Sequence, residues 1–571
     1  GTVSTGIVRL MAKPGHPRAA AVADYALGAL TRFGRGRAEE TLHARLARDR
    51  KGLASAVRGA FAGRRPAGMR CTGFFVGADA ADGGRALHAR TFDGAFFAWN
   101  AHPMLHLVDE RPADAGYLRY AAVGTAGLVY PGGISGVNEA GLACSLHQMS
   151  TVRFATGRRD RGFEIAPYVQ QRILREARTL EDAVAIAEAV KHFASWTILV
   201  SEAGGRALRI EINGSEDADG HYEQTVVASA PAPRMVQTNH FLAASMAEKL
   251  AFWDDRHFTK TVGKWLETRA RMRSVGGRLD LTAAGATLDT AEALGVMAGH
   301  DDADAGGRRA FGRTVCKSYG LMGSIVRAAA DRAAGDEIWF TIGDRLPGPH
   351  ATMAGFAIDW DALTLTFTDA IEAASVEAPV RAALAAYVDA FRSCERPRHA
   401  DGRYYGRRPT PDEMIALRRE ALGHLDRAVA GAENAGFMDP GFRYIRARLA
   451  HEAGMAEGGA EAVGHFGAAA RDWDHLRGLI GGAAVPLDAW EEALIQILAA
   501  ATDHALDRGD ETARDALVDA GLAALERVAV REFGAGGRVH QDIKDWRSVA
   551  EAIKARGAGA DLPPIDWVTV E

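Results

Sequence analysis

Short runs in which apolar and polar residues alternate dominate the middle of the chain. The runs C-T-G-F-F-V-G at 71–77 and R-A-L-H-A-R-T-F-D at 85–93 flank the turn A-D-G-G, a pattern that predicts a β-hairpin. Strands that come in runs, separated by pairs of helices, are typical of packed sheets with outer helical layers, an α+β class. Further strands are predicted at 117–123, 133–137, 142–149, 196–201, 207–212, 224–229, 235–238, 324–330, 337–342 and 351–358.

Helical periodicity dominates the two ends of the chain. Residues 17–63 carry apolar positions on one face, and two helices are predicted between the strands at 164–176 and 180–192. We therefore expect three regions: a helical segment at 1–70, a sheet-containing domain at 71–377 and an all-α domain at 378–571. In the last region, helices are predicted at 411–430, 440–453, 459–471, 487–508 and 511–529.

One helix start in the all-α region is marked clearly. Thr410, Pro411 and Glu413 fit the N-cap, N1 and N3 positions of a capping box. The helices follow no convincing repeat period, so the sequence gives this region no functional signal of its own.

Composition changes this picture little but excludes several functions. The 571 residues include 68 Lys and Arg and 73 Asp and Glu, for a net charge of −5, and 47% of them are hydrophobic. Such a chain is typical of soluble globular proteins and argues against nucleic acid as a partner. No apolar run reaches the length of a membrane span, and the opening residues lack a signal-peptide pattern, so we expect no membrane span and a cytoplasmic location. The cysteines are scattered without a disulfide framework: Cys71, Cys144, Cys316 and Cys394.

Motifs for cofactors and metals are weak. The chain has no G-x-G-x-x-G, the glycine pattern of dinucleotide-binding folds. His102 and His106 are four residues apart, but Pro103 and a strand-like context spoil the helical spacing that metal ligands need. We therefore expect neither a cofactor nor a metal.

Candidate chemistry centres on Cys71, which opens the first strand directly after the basic stretch G-R-R-P-A-G-M-R. Arg90 and Asp93 lie on the partner strand of the predicted hairpin. Two motifs follow, N-E-A-G-L-A-C-S-L-H at 138–147 and V-Q-T-N-H at 236–240. In this order and spacing, the pieces resemble the cysteine branch of the N-terminal nucleophile hydrolases. Its members include choloylglycine hydrolases, penicillin V acylase, acid ceramidase and the isopenicillin N acyltransferase group.

The resemblance covers about residues 71–360 and implies a four-layer αββα sandwich whose nucleophile first cuts its own chain. The thiol of Cys71 would attack the carbonyl of Arg70, and hydrolysis of the resulting ester would free the α-amine of Cys71. Such an amine titrates near ~8, so it can take the proton of its own thiol. Residues 1–70 would then be a pro-segment.

The resemblance also implies a role for each neighbour of the nucleophile. Arg90 would place positive charge beside the thiolate, and Asp93 would accept a hydrogen bond from the ammonium or thiol. Asn239 would donate its amide N–H to the tetrahedral oxyanion. A second donor would be His147 by the acyltransferase spacing or Gln148 by the choloylglycine spacing, although relatives usually have Asn or Tyr there.

Two further features are suggested by the relatives. Choloylglycine enzymes carry a late arginine in the site, for which Arg313 and Arg327 are candidates. Aromatic residues after the Arg90 strand would line a pocket for an apolar or aromatic acyl group, or else fill the core. These are Phe92, Phe96, Phe97 and Trp99.

Plainer interpretations of the same residues stay open. Cys71 could simply begin a buried strand, since free cysteine is among the most buried residue types. Arg90 and Asp93 could form a surface ion pair, and Asn239 could be a turn residue. His147 could be a core histidine with satisfied hydrogen bonds.

The sequence thus predicts an amidohydrolase that cleaves linear N-acyl amides through a thioester on Cys71. An alternative enzyme is an acyltransferase that moves an acyl group from a thioester donor to an amine. An alternative outside enzymes is a scaffold that presents the helical region as an interaction surface. The expected partner is a small-molecule N-acyl amide or acyl thioester, and a homo-oligomeric state is left open.

Overall fold

The structure is a computed structural model, and it describes seventeen stretches of the chain. The predicted helical segment at 1–70, apart from residue 70, lies outside them. The described residues are 70–93, 103–111, 114, 116–125, 132–149, 163–192, 195–216, 222–247, 262–282, 287–299, 320–342, 351–372, 378–399, 410–436, 440–480, 489–539 and 541–556.

The strands of the described residues lie between residues 70 and 371. In chain order they are β1 (Arg70–Val76), β2 (Arg85–Asp93), β3 (Pro103–Val108), β4 (Tyr120–Thr125), β5 (Ser135–Asn138), β6 (Leu142–Gln148), β7 (Phe163–Glu164), β8 (Lys191–His192), β9 (Trp196–Glu202), β10 (Ala207–Glu216), β11 (Tyr222–Ala228), β12 (Arg234–Gln237), β13 (Gly320–Ala329), β14 (Asp336–Ile342), β15 (Thr352–Asp359) and β16 (Thr364–Ile371).

The α-helices of the described residues fall into five that accompany the strands and seven that follow them. They are α1 (Ala166–Glu176), α2 (Leu180–Glu188), α3 (Ala244–Ala247), α4 (Val262–Thr282), α5 (Thr290–Met297), α6 (Ala378–His399), α7 (Pro411–Asn434), α8 (Pro440–Ala456), α9 (Gly459–Leu479), α10 (Ala489–Ala505), α11 (Glu511–Phe533) and α12 (Gln541–Arg556). The capping box at the start of α7 is confirmed, because Thr410 and Glu413 each bond the other's backbone N–H. None of the described helices combines the length and apolarity that a membrane span needs.

Two seven-stranded sheets form the centre of the fold, and neighbouring strands within each run antiparallel. The first sheet has the order β12-β1-β2-β13-β14-β15-β16, and the second has the order β11-β10-β9-β6-β5-β4-β3. The predicted hairpin of β1 and β2 is confirmed, with Cys71 opposite Phe92 and Gly73 opposite Arg90. Since side chains alternate along a strand, Cys71 and Arg90 point to the same face of the sheet.

Helices cover the outer faces of both sheets. Phe74 and Ile325 of the first sheet belong to one apolar cluster with Leu294 of α5. On the outer side of the second sheet, Ile198 packs in a cluster with Ile173 of α1. The layers run helix, sheet, sheet, helix, which confirms the predicted packing of sheets between helices.

The inner faces of the two sheets carry both apolar and polar side chains. Cys71 and Phe92 belong to one inner cluster with Val137, and Phe75 belongs to another with Leu199. Burying polar groups costs free energy unless they are hydrogen-bonded, so this layer has to satisfy them internally. The buried polar residues include His88, Arg90, Ser135, Ser145, His147, Thr197, Ser201 and Ser324.

The C-terminal helices, predicted correctly as a helical region, share apolar clusters with the sheet region. One cluster joins Phe74 of β1 to Tyr387 of α6 and Leu425 of α7. A second joins Leu266 of α4 to Trp490 of α10, and it also includes residues of α11 and α12. The boundary between 71–377 and 378–571 stays a prediction, and the shared clusters show that the two regions pack on each other.

Candidate active site

The thiol of Cys71 lies between the sheets, in contact with a buried arginine. Only 1% of Cys71 and 1% of Arg90 is exposed. Arg90 Nη2 lies 3.1 Å from Cys71 Sγ and also donates to the carbonyl of Leu146 on β6. A cation this close to sulfur favours the thiolate over the thiol. The hairpin register creates this contact, because Arg90 pairs with Gly73, which lies two residues after Cys71 on the same face of the sheet.

The backbone nitrogen of Cys71 is held by Asn239, which follows β12. Cys71 N donates to Asn239 Oδ1 at 2.8 Å, and Arg271 Nη2 donates to the same oxygen at 2.8 Å. Both neighbours are donors, so the amide oxygen must face them. Asn239 Nδ2 donates to the carbonyl of Gln148 at 2.9 Å with one of its two hydrogens. The predicted role of Asn239 as an oxyanion donor stays a prediction, whereas its contact with Cys71 N is a second role that the sequence did not suggest.

Arg271 on α4 is the site residue that sequence reasoning missed. Its side chain is fully buried, and Nη1 donates at 2.7 Å both to the carbonyl of Cys71 and to Oγ1 of Thr72. An ion pair with Glu267, one helical turn earlier, holds the guanidinium, with Nε 2.7 Å from Oε1. In the sequence this pair resembles an ordinary i, i+4 pair on a helix surface, so it carried no signal of a site.

Arg327, one of the two candidates for a late arginine, does not occupy this position. Arg327 donates to the carbonyl of Asp82 and pairs with Glu337. Asp82 belongs to the turn between β1 and β2, at the opposite end of the hairpin from Cys71, so Arg327 is excluded from the site. Arg313 lies outside the described residues.

His147 lies on the inner face of β6 and packs over β1. A Cβ at Gly73 would come within 2.7 Å of the His147 ring, so only glycine leaves room for this histidine. The side chain of Gln148, next along the strand, points to the other face. The structure therefore brings His147 rather than the Gln148 side chain to the strand of Cys71, while the donor role of His147 stays a prediction.

A chain of hydrogen bonds connects His147 to the interior. Ser145 Oγ lies 3.2 Å from His147 Nε2 and 2.8 Å from His88 Nε2, and His88 Nδ1 lies 2.8 Å from Ser201 Oγ. Burial, with the positive charge of Arg90 adding to it, lowers the pKa of His88 to about 3. Burial, followed by the positive charge of Arg90, also holds the pKa of His147 well below its usual range. Both imidazoles are neutral near pH 7.

These two histidines are expected to make the protein acid-sensitive. In the unfolded chain each would bind a proton near pH ~6.5, whereas the folded state resists protonation until the pH is far lower. The unfolded state thus binds more protons, and the free energy of unfolding falls as the pH drops below ~6.5, by about 1.4 kcal/mol per pH unit for each proton. For His88 this fall continues until the pH reaches the folded-state pKa of about 3. Urea unfolding at several pH values should show this slope. His88→Gln should reduce it by about one proton, and an unchanged slope would contradict the assignment.

The remaining predicted residues are only partly described. Asp93 is the last residue of β2, and its backbone pairs with Arg70, next to the pair of Cys71 and Phe92. Its side chain lies outside what the structure describes. Phe92 faces the second sheet beside Cys71, and Arg90 lies over its ring at 5.0 Å. The aromatic residues at 96, 97 and 99 and the histidine at 102 lie outside the described residues. Within the described part of the chain, no three His, Cys, Asp or Glu residues are grouped so that they could hold a metal ion.

The fold and the thiol site resemble those of a known class of protein. Two packed antiparallel sheets with a buried cysteine opening the first strand are typical of the cysteine N-terminal nucleophile hydrolases and acyltransferases. Residues 80–261 match a family described as acyl-coenzyme A:6-aminopenicillanic acid acyl-transferase. This confirms the resemblance inferred from the sequence over a region that contains Arg90, Asp93, His147 and Asn239 and begins after Cys71.

Solved structures similar to this chain include a variant of the conjugated bile acid hydrolase from Clostridium perfringens. It is 11% identical, with a TM-score of 0.30, and the match covers 54% of this chain and 99% of that one. Penicillin V acylase from Agrobacterium tumefaciens is 10% identical, with a TM-score of 0.27, and the match covers 52% of this chain and 98% of that one. No curated protein sequence matches the chain.

Proposed function

We propose that the protein is a cysteine amidohydrolase that cleaves linear N-acyl amides through a thioester on Cys71, after cutting its own chain before this residue. One observation carries the proposal: both reactive atoms of Cys71 have buried polar partners. Arg90 Nη2 lies 3.1 Å from the sulfur, and Asn239 Oδ1 lies 2.8 Å from the nitrogen that would become the α-amine. A cysteine that only filled the core would not need a buried cation beside its sulfur.

Maturation would begin with attack of Cys71 Sγ on the carbonyl carbon of Arg70. The carbon–nitrogen bond between the two residues breaks while the Cys71 nitrogen takes up a proton, which leaves a thioester. Water then hydrolyses the thioester, releasing the carboxylate of Arg70 and the free thiol. Positive charge from Arg90 stabilises the sulfur anion that forms in this sequence.

In the mature enzyme the α-amine of Cys71 would take the proton of its own thiol, with Asn239 Oδ1 accepting a hydrogen bond from the resulting ammonium. The thiolate attacks the amide carbonyl of the substrate, and N–H donors stabilise the oxyanion. The free hydrogen of Asn239 Nδ2 and the ring of His147 are the candidate donors. The amine leaves with the proton of the ammonium, and water, deprotonated by the α-amine, then hydrolyses the acyl thioester.

Acyl transfer is the second candidate, favoured by the family that residues 80–261 match, which is described as an acyltransferase that uses an acyl-coenzyme A. The chemistry at Cys71 would be the same, but an amine would replace water as the second nucleophile. Incubating the protein with N-acyl amines, bile-salt-like amides and penicillins, with and without an added amine acceptor, separates the two outcomes. Hydrolysis releases the free acid, whereas transfer gives a new amide.

Iodoacetamide is expected to label Cys71 faster than Cys144 and to abolish activity. A thiolate beside a cation reacts first, whereas burial alone raises the pKa of the Cys144 thiol well above its usual range. Peptide mass spectrometry after timed labelling measures both rates in one sample. Cys144→Ala should keep its activity and its sensitivity to the reagent. Labelling of Cys71 no faster than Cys144 would favour the non-catalytic scaffold.

A further inference from the structure

Helix α4 supplies one wall of the candidate active site. Thr268 Oγ1 accepts a hydrogen bond from the backbone N–H of Asn239 at 2.9 Å. Arg271, one turn further on, reaches the carbonyl of Cys71 and the side-chain oxygen of Asn239. A displacement of α4 would therefore move the groups that hold both Cys71 and Asn239.

A neighbouring face of α4 rests on the C-terminal helices. Trp265 and Arg269 are one turn apart on this face, and both donate to Glu532 of α11. Trp265 Nε1 lies 3.1 Å and Arg269 Nη1 lies 2.6 Å from the same oxygen, Oε2. Arg269 also lies over the Trp265 ring at 5.3 Å. Glu532 thus fixes two side chains of the site helix at once.

Trp265 also connects this contact to the site itself. Its ring meets the ring of His240 edge to face, with the centroids 5.4 Å apart. His240 directly follows Asn239, and its Nδ1 lies 3.1 Å from Thr268 Oγ1. The position of Trp265 therefore bears on the loop that carries Asn239 as well as on α4.

Apolar packing and a backbone contact fix the start of α4. Val262 and Leu266 belong to a buried cluster with Trp490 of α10 and with residues of α11 and α12. The same cluster contains Met149 and Phe241, which follow β6 and the Asn239 loop. At the first turn of α4, Gly263 N donates to Oδ2 of Asp542, a buried residue of α12, at 3.4 Å.

We propose that the C-terminal helices α10–α12 support catalysis from outside the site, because they hold α4 where Arg271 and Thr268 meet Cys71 and Asn239. Glu532 is the positioning residue for that contact. The inference rests on the proposed function for its consequence in turnover. The contacts that carry it connect the C-terminal region to the site whatever the substrate is. Glu532 touches neither the thiol nor its direct partners and acts through Trp265 and Arg269.

The test compares two acidic residues of the same helix. Glu532→Ala removes the acceptor that Trp265 and Arg269 share, and the expected result is a kcat lower by about 10-fold to 100-fold, the scale of a misplacement of about 1 Å at a reacting centre. KM should change by less than about threefold, since α4 positions the nucleophile. Glu526→Ala on the same helix breaks an ion pair with Arg547 of α12, 2.6 Å long, that does not involve α4. This control should leave kcat within about twofold.

Further variants separate positioning from loss of stability. Glu532→Gln keeps an oxygen for Trp265 and should recover most of the kcat that Glu532→Ala loses. If Glu532→Ala does not fold, Arg269→Ala takes its place and should lower kcat. The double variant Glu532→Ala/Arg269→Ala should have a kcat no lower than that of the slower single variant, because both substitutions break the same contact. Turnover of Glu532→Ala within twofold of wild type, or equal losses in Glu532→Ala and Glu526→Ala, would overturn the proposal.

The labelling rate of Cys71 can be measured without any substrate, so it tests the positioning role independently of the proposed function. Glu532→Ala should change the iodoacetamide labelling rate of Cys71 at least threefold at temperatures well below unfolding, and Glu526→Ala should not. If wild type turns over no amide, the proposed function fails while the labelling rates still test the positioning. Unchanged labelling of Cys71 in a folded Glu532→Ala variant would then overturn it.

Discussion

Active protein is expected as two polypeptides separated between Arg70 and Cys71. An internal cysteine has no free amine, so its thiol lacks a built-in base until that peptide bond is broken. For the chain of 571 residues and 60.8 kDa, the pieces of 70 and 501 residues would be about 7.5 kDa and about 53 kDa by their share of the residues. Mass spectrometry under denaturing conditions should resolve them, and amino-terminal sequencing of the larger piece should read C-T-G-F-F.

Two cysteine variants make this result specific. Cys71→Ala should remain one uncut, inactive chain because no thiol can attack the Arg70 carbonyl. Cys144→Ala, which removes a buried thiol on the outer face of β6, should be cut and active. An active wild-type enzyme that is intact across residues 70 and 71 would refute self-cleavage. Cys71 would then need a base from another residue, with His147 as the first candidate.

The second large effect is expected for Asn239→Ala, with kcat lower by roughly 10²-fold to 10³-fold, the cost of losing one oxyanion donor. The substitution also removes the oxygen that accepts hydrogen bonds from Cys71 N and Arg271. Steady-state kinetics on the best substrate of the panel measures the loss. Asn138→Ala is the matched control, since the partners of this buried amide among the described residues are the carbonyls of Leu174 and Ala177 and nearby backbone N–H groups. It should lose stability while keeping kcat within a few-fold.

Asn239→Asp separates the two roles of this side chain. A carboxylate still accepts hydrogen bonds from Cys71 N and Arg271 but has no N–H to donate. If the donor role matters, Asn239→Asp should be as slow as Asn239→Ala. A kcat of Asn239→Asp close to wild type would remove the oxyanion role and leave Asn239 as the residue that holds the nitrogen of Cys71.

Local pattern was sufficient to predict much of the sheet region. Alternation and a glycine-rich turn gave the hairpin of β1 and β2, and with it the proximity of Cys71 and Arg90. Four strands were missed: β3, β16 and the two-residue strands β7 and β8, which fall at the ends of the segments predicted as helices at 164–176 and 180–192. β3 begins with Pro103 and, like β16, lies at the edge of its sheet. The side chains of β3 at 104–108 are only half-buried and those of β16 are mostly exposed, so neither has the burial of a central strand.

Contacts between distant segments could not be predicted in the same way. Arg271 follows Cys71 by 200 residues, and only the packing of α4 on β1 and β12 brings them together. To choose between His147 and Gln148, one must know which face of β6 packs against the first sheet. The sequence of β6 alone does not reveal this. Likewise, the C-terminal helices show periodicity and caps in sequence, while their contact with the site depends on tertiary packing.

The apolar cluster around Leu266 has a consequence for proteolysis. A cut between α6 and α10 that released the later helices would uncover Val262, Leu266, Phe241 and Met149, which pack with those helices in the described structure. Exposed apolar surface of this kind promotes aggregation and recognition by cellular quality control. A molecule cut in the C-terminal region is therefore expected to aggregate or be degraded as a whole, so that a trimmed form does not accumulate.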